Sequence, residues 1–342
     1  MSPRFHPQLI NDRFGDPGVY IEFMFEKRAI LFDLGDLTPL STRKLLRISD
    51  VFVSHMHMDH FCGLDRLIRV LLGRDRRLRL YGPAGIIEAV GHKLAAYTWN
   101  LVERYGSDLV LDVAELRPGR QLRTVGFRSR TAFAPEGERI VDLESDRLLE
   151  ETGFSVSAAI LDHGIPCLAF ALEERAHVNI WKNRVAESGL GVGSWLRNLK
   201  EAILRGDGDN TVIRARWKED GSVRERSLPL GDLRGDIAIV TDGTKIAYVV
   251  DAAPSQDNIR EILDLADSAT TLYIETAFLD ADADRARERN HLTARQAGEI
   301  ARRAGVQKLV TLHYSPRYEG RADELKQEAE RAFHHHGESV PQ

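Results

Sequence analysis

Ser54-His55-Met56-His57-Met58-Asp59-His60 sets three histidines and an aspartate within six residues. The stretch follows Val51-Phe52-Val53, an apolar run that reads as a buried strand. It precedes residues 61–72, where Leu64, Leu67, Ile68, Leu71 and Leu72 recur at helical spacing. His55 and His57, two apart on extended chain, project to one side. Asp59 and His60 fall where the chain turns and so face a second point. Imidazole nitrogens and a carboxylate suit zinc, with Mn²⁺ or Fe²⁺ as alternatives. Four ligands leave two metal shells unfinished, so the completing side chains are expected at other strand ends. His163 follows residues 157–162, Asp251 ends the apolar run 246–250, and His313 ends the run 309–312. Each stands just past a buried strand, where a ligand is held rigidly.

Outward from this motif, residues 19–25 and 29–33 read as strands separated by the charged turn Glu26-Lys27-Arg28. Leu78-Arg79-Leu80-Tyr81 reads as a strand stopped by Gly82-Pro83, and a long helical region follows from 85 to about 105. Strand signals return at 109–113, 125–133, 156–161 and 167–172, while residues 135–151 read as an exposed loop or short helix. Residues 174–235 are charged and Gly-rich, with a helix predicted over 193–204 and a hairpin over 211–228. Their apolar content reads as too thin for a core of their own, so the stretch is taken as an arm inserted in a single domain spanning 1–342. The runs 237–241 and 246–250 flank Asp242-Gly243-Thr244-Lys245 in the pattern of a hairpin. Helix 259–265, strand 272–275, helix 293–304 and strand 309–312 complete the pattern, and His334-His335-His336 reads as a fraying helix end. Strands followed by helices, twice over and without a repeat, predict a layered α/β sandwich of two sheets covered by helices.

Composition narrows the function class. The chain has 342 residues, 47 Lys+Arg against 52 Asp+Glu, and a formal charge of −5, which argues against coating nucleic acid by bulk charge. No apolar run approaches the length of a membrane helix, and residues 1–14 lack the apolar core of a secretion signal. Two cysteines, Cys62 and Cys167, make neither a disulfide framework nor a four-thiolate site, and they fit a reducing, cytoplasmic setting.

The motifs resemble a known family. The His-x-His-x-Asp-His core with later His, Asp and His is similar to the metallo-β-lactamase superfamily, and within it to ribonuclease Z. Leu31-Phe32-Asp33-Leu34-Gly35-Asp36, Asp59-His60-Phe61-Cys62-Gly63-Leu64, Tyr81-Gly82-Pro83 and Asp162-His163-Gly164-Ile165-Pro166 resemble its successive segments. His291-Leu292-Thr293 resembles its His-Ser-Thr helix start, and His313-Tyr314-Ser315-Pro316-Arg317-Tyr318 its His-Phe-Ser-Pro-Arg-Tyr. Three segments depart from the family pattern without losing a ligand. Leu34-Gly35-Asp36-Leu37-Thr38 replaces Cys-Gly-Glu-Gly-Thr, Val250 and Ala252 flank Asp251, and Ile274-Glu275-Thr276-Ala277 replaces His-Glu-Ala-Thr.

The resemblance implies a four-layer αββα sandwich with the inserted arm. It implies a zinc-dependent phosphodiesterase that processes the 3′ end of precursor tRNA by metal-bound hydroxide. The alternative on the same fold is a hydrolase of a small phosphodiester, ester or thioester. By the same resemblance, one zinc takes His55, His57 and His163, a second takes Asp59, His60 and His313, and Asp251 bridges them. Asp59 also orients the nucleophile, His291 protonates the leaving oxygen, Glu275 holds His291, and Asp33 orients a ligand histidine. The arm grips RNA in the family; here Arg175, Lys182, Arg184, Arg197 and Lys200 are its candidate phosphate contacts. A second basic run, Arg66, Arg69, Arg74, Arg76, Arg77 and Arg79, is read partly as helix surface and partly as lining the entry path for RNA. The expected partner is precursor tRNA or another phosphodiester, with no membrane; the family also allows a homodimer, for which no motif here speaks.

Overall fold

The computed structural model describes residues 4–335, Phe25 and Asp220 excepted. Phe25 of the strand run 19–25 and His336 of the terminal histidines therefore lie outside the described residues. Alternation along the strands builds the core. Leu31, Val51 and Val53 turn to one face of a sheet, while Phe32 and Phe52 turn to the other. That sheet has eight strands in sequence order: Phe5–Leu9, Val19–Phe23, Ala29–Phe32, Ile48–Phe52, Arg76–Pro83, Leu109–Arg117, Gln121–Arg128 and Pro135–Asp142. The middle four are parallel.

A second sheet has the order Leu309–Leu312, Thr271–Glu275, Lys245–Val249, Pro166–Glu174, Phe154–Asp162, Arg147–Glu151, with its first three strands parallel. The sheets meet through aromatic rings: Phe32 stacks on Phe170 and lies tilted against Tyr248, each at 5.6 Å, and Phe52 meets Phe170 at 5.5 Å. Outside the first sheet lie the helices Leu64–Leu71 and Ile86–Ala95, whose Leu67, Ile68, Val90 and Leu94 are buried against it. Outside the second lie Gln256–Ala266 and Ala294–Arg303, which bury Ile262, Leu265, Ala297 and Ile300. Ser255 caps the first of these, and Thr293 with Gln296 forms a capping box on the second. The order is helix, sheet, sheet, helix. No described helix is long and apolar enough to cross a membrane.

The chain divides into two compact units. Among the described residues, the smaller comprises Leu149–Val156 and Leu172–Lys245, and the larger holds the others. The smaller unit has the expected helix, Trp195–Arg205, and the expected hairpin, Val212–Glu219 with Ser222–Pro229. It also has a core, contrary to the reading that its apolar content is too thin. Val185, Trp195, Leu199, Ile213, Leu230 and Ile237 are buried together. Few apolar residues suffice because one of them is Trp195, which is 1% exposed.

Two further expectations fail. Residues 135–151 are neither loop nor helix but the strands Pro135–Asp142 and Arg147–Glu151. Pro135–Asp142 is exposed along its whole length at a sheet edge, so no buried alternation marks it. Asp242-Gly243-Thr244-Lys245 is not a hairpin turn. Ala238–Thr241 pairs with His177–Ile180, and Lys245–Val249 pairs with Thr271–Glu275. Gly243 serves close approach rather than a left-handed turn: a Cβ there would collide with the backbone of Glu174, whose N–H donates to the Thr244 carbonyl at 2.9 Å. The helix predicted from 85 to 105 also stops early, at Ala95.

Candidate metal centre

Every strand that carries a site residue delivers it at its C-terminal end, the edge where open parallel sheets place their ligands. Ile48–Phe52 runs out to His55, Lys245–Val249 to Asp251, Leu309–Leu312 to His313, and Glu275 is the last residue of Thr271–Glu275. The short helix Met58–Phe61 starts directly after His57 and turns Asp59 and His60 toward the same place. Gly35 and Gly63 let two loops close around this motif. The Leu34 N–H donates to His60 O at 2.9 Å and the Gly63 N–H to Leu34 O at 2.7 Å, and a Cβ on either glycine would strike backbone carbonyls. Asp33, Asp251 and His313 take φ of 59°, 50° and 56°, the left-handed region that side chains rarely occupy. Such strain gathers at functional sites.

The side chains converge on Asp251. Its Oδ2 lies 3.3 Å from His55 Nε2, 3.2 Å from His60 Nε2 and 3.6 Å from His163 Nε2, and its Oδ1 lies 2.7 Å from His313 Nδ1. His57 packs its ring 4.4 Å from that of His55 and 5.4 Å from that of His163. Asp59 Oδ2 sits 3.3 Å from His313 Nε2 and 3.4 Å from His60 Nε2. Ligand atoms of His55, His57, His163 and Asp251 thus form one cluster, those of Asp59, His60 and His313 another, and those of Asp251, Glu275, His291 and His313 a third that overlaps both, each within 4.8 Å. Short separations do not satisfy these groups. His55 Nε2, His60 Nε2, Asp251 Oδ1 and His313 Nδ1 are buried without a hydrogen bond of acceptable geometry. Four orphaned polar atoms aimed at one place, all nitrogen or carboxylate oxygen, fit divalent cations.

Behind the cluster, most ring nitrogens that face away are engaged. His60 Nδ1 lies 2.8 Å from Asp33 Oδ2, His163 Nδ1 lies 2.9 Å from the Asn290 carbonyl, and His55 Nδ1 lies 3.1 Å from Ser54 Oγ. Asp33 is itself fixed. Its Oδ1 accepts the Ser54 N–H at 2.6 Å, and its Oδ2 accepts Ser54 Oγ and Tyr248 Oη, each at 2.8 Å. These partners orient the imidazoles and set their tautomers.

Glu275 is fully buried and divides its oxygens. Oε1 accepts the Ala252 N–H at 2.7 Å, fixing the turn beside Asp251, and Oε2 meets His291 Nδ1 at 2.7 Å.

Burial works against ionisation of Asp251 and Asp59, but the neighbouring His313 and His60 outweigh it and hold both carboxyls well below the usual range. Burial lowers the pKa of His57 and His163, keeping a neutral lone pair available. Burial also opposes protonation of His291, yet the Glu275 carboxylate prevails and raises it.

The residues singled out from the sequence thus sort into two groups. His55, His57, Asp59, His60, His163, Asp251, His313, Glu275, His291 and Asp33 stand together in the larger unit. Arg175, Lys182, Arg184, Arg197 and Lys200 belong to the smaller one. There Arg175 pairs with Glu150, and Arg184 lies 3.9 Å over the ring of Trp181 while its guanidinium bonds the Asp236 carbonyl. Lys182 and Arg197 are exposed. The second basic run does not border the metal cluster at Arg76 and Arg77. Arg79 pairs with Asp50 in parallel register, so Arg76 starts its strand roughly 25 Å, eight residues of rise, from the level of His55. Arg77 and Arg79 are moreover taken by Asp112 and Asp50. Tyr248 and the Asn290 carbonyl were not expected at the site.

No family model matches the chain. Among curated proteins it is similar to Ribonuclease Z of Gemmatimonas aurantiaca, 30% identical over 320 residues covering 90% of this chain and 83% of that protein. It is also similar to Ribonuclease Z of Thermobifida fusca, 30% identical over 323 residues covering 92% and 84%. Among solved structures it resembles the short form of human tRNase Z, with a TM-score of 0.50 and 19% identity over 92% of each chain. The metallo-β-lactamase fold protein YhfI of Bacillus subtilis matches with a TM-score of 0.52 and 15% identity, over 96% of this chain and 94% of that one. These structural likenesses bear on the fold, which is that of the metallo-β-lactamases.

Proposed function

The chain belongs to the ribonuclease Z family of metal-dependent hydrolases, and from that premise we propose that it cuts precursor tRNA 3′ of the discriminator nucleotide, leaving a 3′ hydroxyl. The observation that carries the reading is the double cluster around Asp251 with its four orphaned ligand atoms, standing beside the Glu275–His291 pair. His55, His57 and His163 would hold one cation and Asp59, His60 and His313 a second, with Asp251 between them. Two Zn²⁺ ions, or Mn²⁺ or Fe²⁺ in their place, would supply a nucleophile at neutral pH and offset charge on the phosphoryl oxygens. Asp59, whose side chain is 44% exposed, reaches from its shell toward solvent and orients the attacking water. Asp33 keeps the His60 ring turned toward the cluster. Glu275 engages Nδ1 of His291, so Nε2 is the nitrogen free to give a proton to the departing 3′ oxygen. The exposed cations of the smaller unit, Lys182, Arg184 and Arg197 among them, suit the phosphate backbone of the tRNA body. A cytoplasmic enzyme accords with this substrate.

The test is cleavage of precursor tRNA by the full chain loaded with zinc or manganese, with the new termini analysed. One cut after the discriminator with a 3′ hydroxyl supports the reading. Hydrolysis of bis-p-nitrophenyl phosphate, an ester or a thioester with no cut in precursor tRNA would replace it with a small-molecule hydrolase on this fold.

A further inference from the structure

Arg285 and Arg289 stand four residues apart on the helix Ala283–Glu288 and the residue that ends it, so their side chains share a face. Arg287, between them, pairs with Asp284 at 3.0 Å. Arg285 and Arg289 are exposed, and neither has an ion pair or side-chain hydrogen bond with any described residue. With Arg317 they line a cavity of about 570 Å³ that reaches His291 and His313. No acidic residue is among its described lining. Arg317 is partly neutralised by Asp282 at 3.3 Å. The two free guanidinium groups are tied to the site through the backbone. The His291 N–H donates to Ala286 O at 2.9 Å, and Asn290, at φ 57°, turns the chain so that its carbonyl meets His163. Arg289 is therefore two residues from the proton-donating histidine and held by the same turn.

A chain of net charge −5 that leaves two unpaired guanidiniums on an acid-free wall attracts an anion there. Planar guanidiniums match phosphate oxygens by paired, charge-assisted hydrogen bonds. His291, the proton donor to the leaving 3′ oxygen in the reading above, lines the same cavity. We infer that Arg285 and Arg289 form a subsite for the phosphate on the 5′ side of the nucleotide that bears the leaving oxygen. This rests on the phosphodiesterase reading above and deepens it: by gripping that phosphate, the pair fixes which linkage lies over the cluster.

The test compares dinucleotides with and without a 5′-terminal phosphate, alongside precursor tRNA carrying a neutral methylphosphonate at the linkage 5′ of the discriminator. The wild-type chain should prefer the 5′-phosphorylated dinucleotide about tenfold in kcat/KM, the worth of one charge-assisted contact. The double variant R285A/R289A should lose that preference and should suffer no further loss from the methylphosphonate. It should still hydrolyse bis-p-nitrophenyl phosphate at the wild-type rate, and Arg287→Ala should keep the preference. A preference that survives in the double variant overturns the subsite, as does equal loss on bis-p-nitrophenyl phosphate. Intact precursor tRNA with the dinucleotide preference present sinks the tRNA reading and spares the subsite; cleavage of tRNA without the preference does the reverse.

Discussion

Tyr248→Phe removes one oxygen from the buried support of the metal cluster. The phenol lies at the meeting of the two sheets, with its ring on Phe32, so phenylalanine keeps the packing and leaves a gap of a single atom. Burial, and then the Asp33 carboxylate, hold its pKa well above the usual range, so Tyr248 is the donor in this contact. Asp33 Oδ2 has Ser54 Oγ and His60 Nδ1 as further partners, each at 2.8 Å, and it keeps both after the substitution. A hydrogen bond to a charged group contributes about 1.5–3 kcal/mol, and the two surviving partners place this loss near about 1.5 kcal/mol. Because Asp33 aims His60, part of the loss should surface as weaker metal binding. Losing a partner behind a ligand costs about 10–100-fold in affinity, and about tenfold is expected here. Asp33→Asn should cost more, about 100-fold, since it removes the charge and sets an amide against His60 Nδ1. The assay is chelator-competition titration of zinc into the metal-free full chain, with thermal unfolding measured in parallel. Zinc affinity within twofold of wild type, or a loss equal to that of Asp33→Asn, would refute the reasoning.

Further outcomes are expected of the same protein. Metal analysis of the purified chain should find about two transition-metal ions per chain, and a chelator should lower the unfolding temperature. Ions at 100 times their dissociation constant add about 2.7 kcal/mol each; an unfolding curve unchanged by chelation would speak against structural occupancy of the cluster. His291→Ala should lower kcat about 10²–10⁴-fold with metal content intact, whereas loss of metal would place it among the ligands. Trp195→Ala should cost about 3–5 kcal/mol in the smaller unit. Cleavage of precursor tRNA should then fail while bis-p-nitrophenyl phosphate is still hydrolysed, and survival of both activities would remove the smaller unit from RNA binding.

The candidate metal ligands were legible because metal chemistry needs specific atoms at specific spacing, and a strand followed by a sharp turn supplies both. His163, Asp251 and His313 each showed as a ligand-capable residue at the end of an apolar run. The layered architecture was legible for a related reason, since Leu31, Val51 and Val53 alternate in phase with Phe32 and Phe52. What escaped were features without local periodicity. Pro135–Asp142 is paired on one side only and buries no residue, so its backbone bonds define it while its side chains do not. Asp242-Gly243 has the composition of a turn, but its glycine answers the backbone of Glu174, nearly seventy residues earlier in the chain. The core of the smaller unit gathers from Val185 to Ile237 and becomes visible only once the helix and hairpin are assembled. Tyr248 carries no signal of its role, because a strand tyrosine facing inward is ordinary until Asp33 is placed opposite it.

The left-handed backbone at Asp33, Asp251 and His313 has an evolutionary consequence. Any replacement there must pass two filters at once, one chemical and one conformational. Asparagine and glycine accept a positive φ readily but bring no anionic or imidazole donor. β-branched residues fail both. The easiest single steps away from these residues therefore lead to chains that fold but bind metal poorly. Catalysis can be lost here without the architecture noticing, and a lineage drifting by that route would keep the scaffold and its exposed cations as raw material for a binding protein.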